Sequence, residues 1–336
     1  MIRAGIVGLG RWGQSFVRSV AGNSEEIRFT AAATRTADKA RAFCREHDLP
    51  LVASYQAILA DPAIDAVVLA TPHSQHEAQV KQAAAAGKHV LVEKPLALTR
   101  KSAEQAVAAA QQAGVVLAVG FNRRFHPSIC ELRKRARDGR LGTIAAMVGQ
   151  HTSGTGPFLP KHEWRNSAVE SPAGALTAVG VHTIDHMIEL AGPVRDVHCV
   201  TERRGATQHD DTTSILLRFT NGATGLMFSS ISTAPNLSLT VYGSKGLVEV
   251  SHTALQNFRF VPAPDKAPSG PVTAPPPELV EFPGFDMLHA ELTAFARAIA
   301  DKTPYPIPIS EILHGMSVFD AIVESARTGG IVAVTG

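Results

Sequence analysis

At 336 residues the chain exceeds what one hydrophobic core usually organises, which predicts two domains. Hydrophobic residues at 45%, charged residues at 18% and a net charge of +2 are the composition of an ordinary globular protein. They exclude a nucleic-acid-binding basic tract and a membrane span, and leave small anionic ligands as fitting partners.

From Ile2 to about Asn122, short apolar runs alternate with helical patterns, the signature of βαβ units and a parallel sheet. Strands are predicted at Ala4 to Val7, Arg28 to Ala33, Ala66 to Ala70, His89 to Val92 and Val115 to Val119. Helices are predicted at Trp12 to Ala21, Ala37 to His47, Gln75 to Ala86 and Lys101 to Ala113, the last two ending before Gly87 and Gly114. A connecting helix follows at Pro127 to Asp138, and then the texture turns to longer strands. These are Ile144 to Thr152, Val194 to Arg203, Thr212 to Thr220, Ala223 to Ser232, Leu237 to Tyr242 and Leu247 to Val250, with an Asn-Gly hairpin turn before Ala223. The Pro-rich stretch Val261 to Pro277 reads as a long surface loop, and helices at Leu288 to Ala300 and Glu311 to Thr328 close the chain. The expected architecture is an α/β Rossmann domain over residues 1–122, followed by an α+β domain over residues 123–336 with a large, open, mainly antiparallel sheet.

The three cysteines, Cys44, Cys130 and Cys199, are odd in number and lack CxxC spacing, which argues against a disulfide framework or zinc ribbon. With Met1 to Gly10 reading as a strand rather than a secretion signal, the expected compartment is the cytoplasm.

Gly8, Gly10 and Gly13 form GxGxxG where the first strand meets the first helix. The first glycine permits the tight turn, the second lets backbone approach a pyrophosphate, and the third lets helix pack on strand. Gly8, Leu9, Gly10, Arg11, Trp12 and Gly13 are therefore candidate cofactor contacts, with backbone N–H groups near Arg11 and Trp12 facing the phosphates. At the end of the second strand, where an acid would accept from the ribose of NAD, the chain has Thr34 and Arg35. A guanidinium there pairs with a 2′-phosphate, so NADP(H) is favoured over NAD(H).

Glu93, Lys94 and Pro95 follow the fourth strand, placing Lys94 at the carboxyl edge of the sheet, where it could stabilise a developing alkoxide. Taken with Thr71, Pro72 and His76, with Gly120 to Phe125, with Trp164-Arg165 and with Gly174 to Asp185, these motifs in this order make the chain resemble a known family. It is the glucose–fructose oxidoreductase, inositol dehydrogenase and rhizopine catabolism (Gfo/Idh/MocA) family of NAD(P)-dependent oxidoreductases. The resemblance implies hydride transfer between nicotinamide and a hydroxyl or carbonyl of a small sugar, polyol or cyclic diol, in a cleft between the domains. It also implies roles: Lys94 positions substrate, His182 is the general acid/base, and Thr71, Pro72 and His76 line the nicotinamide half. Glu93, Lys94, Asn122, Trp164 and Arg165 join the expected cofactor contacts. Family sugar and polyol dehydrogenases usually carry an aspartate four residues before this histidine, where the chain has Ala178. Asp185, three residues after His182, shares its helical face and is expected to orient the imidazole.

Other readings stay open. Ala178 leaves room for a non-catalytic NAD(P)-binding sensor or scaffold, and the same family includes NAD-dependent glycosidases and lyases. His182 and His186, with Asp185 and Glu189, have the spacing of a zinc site on a helix, which would make a hydrolase; no metal is expected. A homodimer or homotetramer is expected through the sheet of the second domain, with Ile215, Leu217 and Phe219 as candidate contacts.

Overall fold

The computed structural model describes residues 1–160, 163–205, 207–264 and 275–335. The chain divides into two units, the first formed by Met1–Asn122 and Asp286–Met316, the second by Arg123–Phe285 and Ser317–Gly336. Residues 286–316 thus group with the first unit rather than with 123–285.

In the first unit, β1 (Ile2–Val7), α1 (Arg11–Val20), β2 (Ile27–Ala33), α2 (Ala37–Glu46), α3 (Tyr55–Ala60) and β3 (Ala66–Leu69) lead into α4 (His76–Ala85), β4 (His89–Glu93), α5 (Arg100–Ala113) and β5 (Leu117–Gly120). The strands form a parallel sheet in the order β2-β1-β3-β4-β5. All four residues of β3 are buried, as expected of a central parallel strand covered on both faces. Gly87 and Gly114 take φ of +69° and +66° after α4 and α5, the left-handed termination read from the sequence. The short α3 is an addition; its start is fixed by Ser54, whose Oγ accepts from Ala57 N.

The helix Met287–Ala300 belongs with this unit for a local reason. One oxygen of Asp286 caps it, accepting from Leu288 N and His289 N, while the other accepts from Ser19 Oγ on α1 at 2.9 Å. Arg297 further along pairs with Glu26 at 2.8 Å. These bonds span more than 260 residues of sequence, and no periodicity could announce them.

The second unit contains α6 (Pro127–Arg137), β6 (Ile144–Thr152), α7 (Val181–Ala191), β7 (Val194–Glu202), β8 (Thr212–Phe219), β9 (Thr224–Ser230), β10 (Asn236–Gly243), β11 (Gly246–Ser251), β12 (Asn257–Pro262) and β13 (Glu278–Glu281). After α8 (Met287–Ala300, described above) and α9 (Ile309–Thr328), β14 (Ile331–Ala333) completes it. Among the described residues the sheet has nine strands, in the order β13-β12-β11-β10-β6-β9-β8-β7-β14, antiparallel except for the parallel β6–β9 pair. The strands β12, β13 and β14 are not anticipated by the sequence reading. Val261 and Pro262 lie in β12 rather than a loop, and 265–274 of the Pro-rich stretch lie outside the described residues.

One face of this sheet receives α7. Gly149 on β6 makes the approach possible: a Cβ there would sit 2.2 Å from Thr183 Cγ2 of the helix. The buried face of β8 carries Ile215, Leu217 and Phe219, so these side chains are core and not the oligomer contacts expected of them. Strand alternation puts Leu216 on the opposite face, where Val200, Leu226, Phe228 and Tyr242 are also exposed.

Candidate active site

The glycine turn divides its three tasks among its three residues. Gly8 has φ +93°, and a Cβ on it would lie 2.5 Å from Ala70 O in the segment after β3. A Cβ on Gly13 would lie 1.9 Å from Gly8 O, so only glycine lets α1 start this close to the strand. Gly10 meets nothing within 4 Å. The turn is therefore tight where helix and strand meet and open where a pyrophosphate must approach. Gly10 gives α1 no side-chain cap, which leaves the first N–H groups of the helix for an anion. The residues fit a dinucleotide. Thr34 and Arg35 follow β2 directly, Thr34 half-buried and Arg35 exposed.

Leu9 is buried beneath the turn and gives its carbonyl to Gln14 Nε2 at 3.2 Å. Arg11 is exposed. The Trp12 indole has a further task, because its Nε1 donates to Glu93 Oε1 at the end of β4. The other oxygen of Glu93 accepts from Lys94 N at 3.2 Å. This buried carboxylate thus joins the start of α1 to the peptide that carries Lys94. Gly120 on β5 leaves it room, since a Cβ there would lie 3.3 Å from Glu93 Oε1. Lys94 itself is half-buried, and the Lys94–Pro95 peptide is cis.

His76 joins two loops of the first unit. Its ring is completely buried, with Nδ1 2.8 Å from Pro95 O and Nε2 3.1 Å from Thr71 O. It clamps together the segments that follow β3 and β4. Thr71 is fixed from its other side by a 2.5 Å hydrogen bond from Oγ1 to Gln79 Oε1, with Pro72 preceding the short turn into α4. Asn122 closes the segment after β5 and is buried. Glu291 on α8, to which the sequence reading gave no role, is also fully buried, and neither carboxyl oxygen has a hydrogen-bond partner among the described residues. Burial first, and then the charge of Glu93, push its carboxyl well above the usual range.

In the second unit, α7 is buried along nearly its whole length and carries His182, Asp185, His186 and Glu189. Asp185 accepts two bonds from Arg124, Nε and Nη2 each at 2.7 Å. The Arg124 guanidinium also lies 3.6 Å from Glu189, which pairs with Arg133 at 2.6 Å. The duty seen for Asp185 is therefore a buried bidentate ion pair, beyond the orienting role expected of it. His182 is buried, and its ring centroid lies 6.4 Å from that of His151 on β6. Arg123 donates from Nη2 to His151 Nε2 at 3.2 Å. The Trp164–Arg165 pair is half-buried, with the guanidinium stacked 4.1 Å over the indole. Ala178 is exposed, within the π-helical turn Leu176–Gly180 that leads into α7. Among the described residues no group of three or more His, Cys, Asp and Glu side chains is arranged to hold a metal ion.

Residues 2–121 match the oxidoreductase family described by its NAD-binding Rossmann fold, GFO/IDH/MocA, and residues 129–249 match the C-terminal domain of the same family. The chain belongs to the GFO/IDH/MocA family. As a member it is an NAD(P)-dependent oxidoreductase. It is 28% identical over 227 residues to trans-1,2-dihydrobenzene-1,2-diol dehydrogenase of Sus scrofa, a region covering 67% of this chain and 66% of the porcine protein. The structure of levoglucosan dehydrogenase in complex with NADH and L-sorbose superposes with a TM-score of 0.89 at 22% identity, over 99% of both chains. Aldose–aldose oxidoreductase from Caulobacter crescentus, complexed with glycerol, gives 0.85 at 26% identity, again over 99% of both. No described helix of this family member is long and apolar enough to cross a membrane.

Proposed function

We propose that this oxidoreductase interconverts a hydroxyl and a carbonyl on a small sugar, polyol or cyclic diol, using NADP(H) in preference to NAD(H). The observation that carries the reading is the glycine turn, closed at Gly8 and Gly13 and open at Gly10, joined through Trp12 and Glu93 to the end of β4, which Lys94 follows. Gly8 to Gly13 hold the pyrophosphate through backbone N–H groups, and Arg35 with Thr34 receives the 2′-phosphate. Thr71, Pro72, Asn122, Trp164 and Arg165 complete the cofactor contacts. When bound, the nicotinamide supplies the hydride acceptor or donor. Lys94 holds the reacting oxygen and stabilises its negative charge as it develops. His182 takes the hydroxyl proton in oxidation and returns it in reduction.

The cytoplasm is the proposed compartment, supported by three unbridged cysteines. A homo-oligomer is proposed as well, now through the outer sheet face bearing Val200, Leu216, Leu226 and Phe228.

The test is steady-state turnover of a panel of sugars, polyols and cyclic diols with each cofactor. His182→Ala should lower kcat by about 10²–10⁴-fold with cofactor affinity nearly unchanged. Lys94→Ala should lower kcat and raise KM. Full activity in both variants would overturn the assignment.

A further inference from the structure

The arginines of the second unit do not all find carboxylates. Arg124 is satisfied by Asp185 and Glu189, and Arg133 by Glu189. Around these side chains two positive and two negative charges cancel. Arg123, next in the chain to Arg124, pairs with no carboxylate among the described residues. Its hydrogen bond goes to an imidazole nitrogen, His151 Nε2, and its Nη1 is buried with no hydrogen-bond partner among the described residues. Burial alone pulls its guanidinium down to about 10, with no carboxylate to oppose the shift.

A second orphan lies in the same cluster. His186, one turn after His182 on α7, is buried, and neither of its ring nitrogens has a hydrogen-bond partner among the described residues. Burial, and then the charges of Arg124, Arg123 and Arg133, hold it well below its ordinary value, so it is neutral and keeps one N–H to donate. Buried polar groups are nearly always satisfied, and Arg123, half-buried as a residue but with Nη1 shut off from solvent, is an exception that calls for a partner. Two such groups beside the proposed acid/base are more economically read as a site than as an error of packing.

We infer that Arg123, with His151 and His186 beside it, binds a carboxylate carried by the substrate, so that the substrate is a hydroxy acid such as a uronic acid or a hydroxylated ring acid. The inference rests on the proposed role of His182, whose ring shares α7 with His186 and faces His151. One uncompensated positive charge matches a monoanion, which favours a carboxylate over a phosphate dianion. The exposed Ala178 fits the same assignment, because an aspartate there would add a negative charge one turn before His182.

The experiment uses the full chain loaded with NADP⁺ and three probes, D-glucuronate, D-glucose and D-glucose 6-phosphate, at equal ionic strength. Thermal unfolding is measured for the unaltered protein, Arg123→Met and Arg123→Lys. Sodium D-gluconate against sodium chloride gives the response to a carboxylate outside a pyranose ring. The unaltered protein should gain thermal stability in glucuronate and gluconate, Arg123→Lys should keep part of the gain, and Arg123→Met should lose it. Without ligand, Arg123→Met should melt at or above the unaltered temperature, because a guanidinium nitrogen buried without a partner has gone. Where glucose and glucuronate both turn over, glucuronate should have the higher kcat/KM by about tenfold or more, a margin lost in Arg123→Met. Equal stabilisation by chloride and carboxylates, a larger response to the phosphate, or a carboxylate response that survives Arg123→Met would each overturn the inference. If Arg123→Met fails to fold, comparison of the salts on the unaltered protein and Arg123→Lys still decides. Loss of turnover in His182→Ala together with a preference for neutral sugars would sink the carboxylate and leave the proposed function standing.

Discussion

Replacing Asp185 by Asn separates two duties that one residue could have, orienting His182 and neutralising Arg124. The carboxylate accepts two 2.7 Å bonds from a guanidinium, and the two side chains are only 4% and 7% exposed. Breaking a buried pair of this kind costs about 3–5 kcal/mol, since one charge stays behind without its partner. Here the stranded Arg124 retains Glu189 at 3.6 Å, which places the expected loss at the lower end, about 3 kcal/mol. For concerted melting of 336 residues, with an unfolding entropy near 2.1 cal/mol/K per residue, that loss lowers the melting temperature by roughly 4 °C. Denaturant titration and a thermal melt on purified Asp185→Asn measure it, with turnover recorded well below the melting temperature. A large stability loss with most turnover retained supports the structural duty. An unchanged melt with kcat lowered about 100-fold or more would refute the reasoning and return Asp185 to His182.

Arg35→Asp should reverse the cofactor preference, costing NADP(H) about tenfold or more in affinity, or about 1.4 kcal/mol, and improving NAD(H); fluorescence titration of both cofactors decides, and unchanged ratios would show that Arg35 serves neither. Leu226→Asp, at a side chain 53% exposed, should leave the fold intact and dissociate the oligomer in sedimentation velocity. A monomeric unaltered protein would dispose of the oligomer, and an oligomeric Leu226→Asp protein would dispose of this face. Glu291 gives a pH signature: its folded carboxyl lies above its ordinary 4.5, so the native state holds a proton that the unfolded chain releases. The stability this contributes is full below about 4.5 and is lost as pH rises through the folded value. Glu291→Gln cannot ionise, so its advantage over the unaltered protein in denaturant titrations should grow as pH rises above the ordinary carboxylate range. A constant difference would mean that Glu291 is ionised in the fold.

The parallel sheet was the most legible feature because β1 to β5 are short, mainly apolar runs between helices with marked ends, and their positions shift from expectation by only a residue or two. Ile144–Thr152 was legible to the residue. The strands that escaped are of another kind. The four residues of β13, Glu-Leu-Val-Glu, are mostly exposed at a sheet edge, and β14 is three residues long, so neither carries a burial pattern. For β8 the alternation was visible but its sense was not. Ile215, Leu217 and Phe219 are more apolar than their neighbours because they face α7, and a sequence cannot say which of two apolar faces meets a helix of its own chain. The helix Met287–Ala300 was found, but its allegiance rests on Asp286 and Arg297 reaching residues at the other end of the chain.

The candidate site divides along the same line. The glycine turn and the placement of Lys94 after β4 were legible because they belong to the backbone, a turn and a strand end, and such features are written in local sequence. His76 and Asp185 were singled out from the sequence, yet the partners they have in the fold were not foreseen. His76 reaches carbonyls five and nineteen residues away, and Asp185 finds its guanidinium sixty-one residues back. Arg123 and Arg124 show the limit most plainly. They are adjacent and chemically identical, and a motif that contains both treats them alike. In the fold one pairs with two carboxylates, and the other, among the described residues, has an imidazole as its hydrogen-bond partner. Burying a guanidinium costs several kcal/mol unless a counter-charge is supplied, so the first arginine is accounted for by the fold itself. The second, half-buried and without a carboxylate among the described residues, is the one from which the proposed carboxylate of the substrate is argued, a difference invisible in the letters.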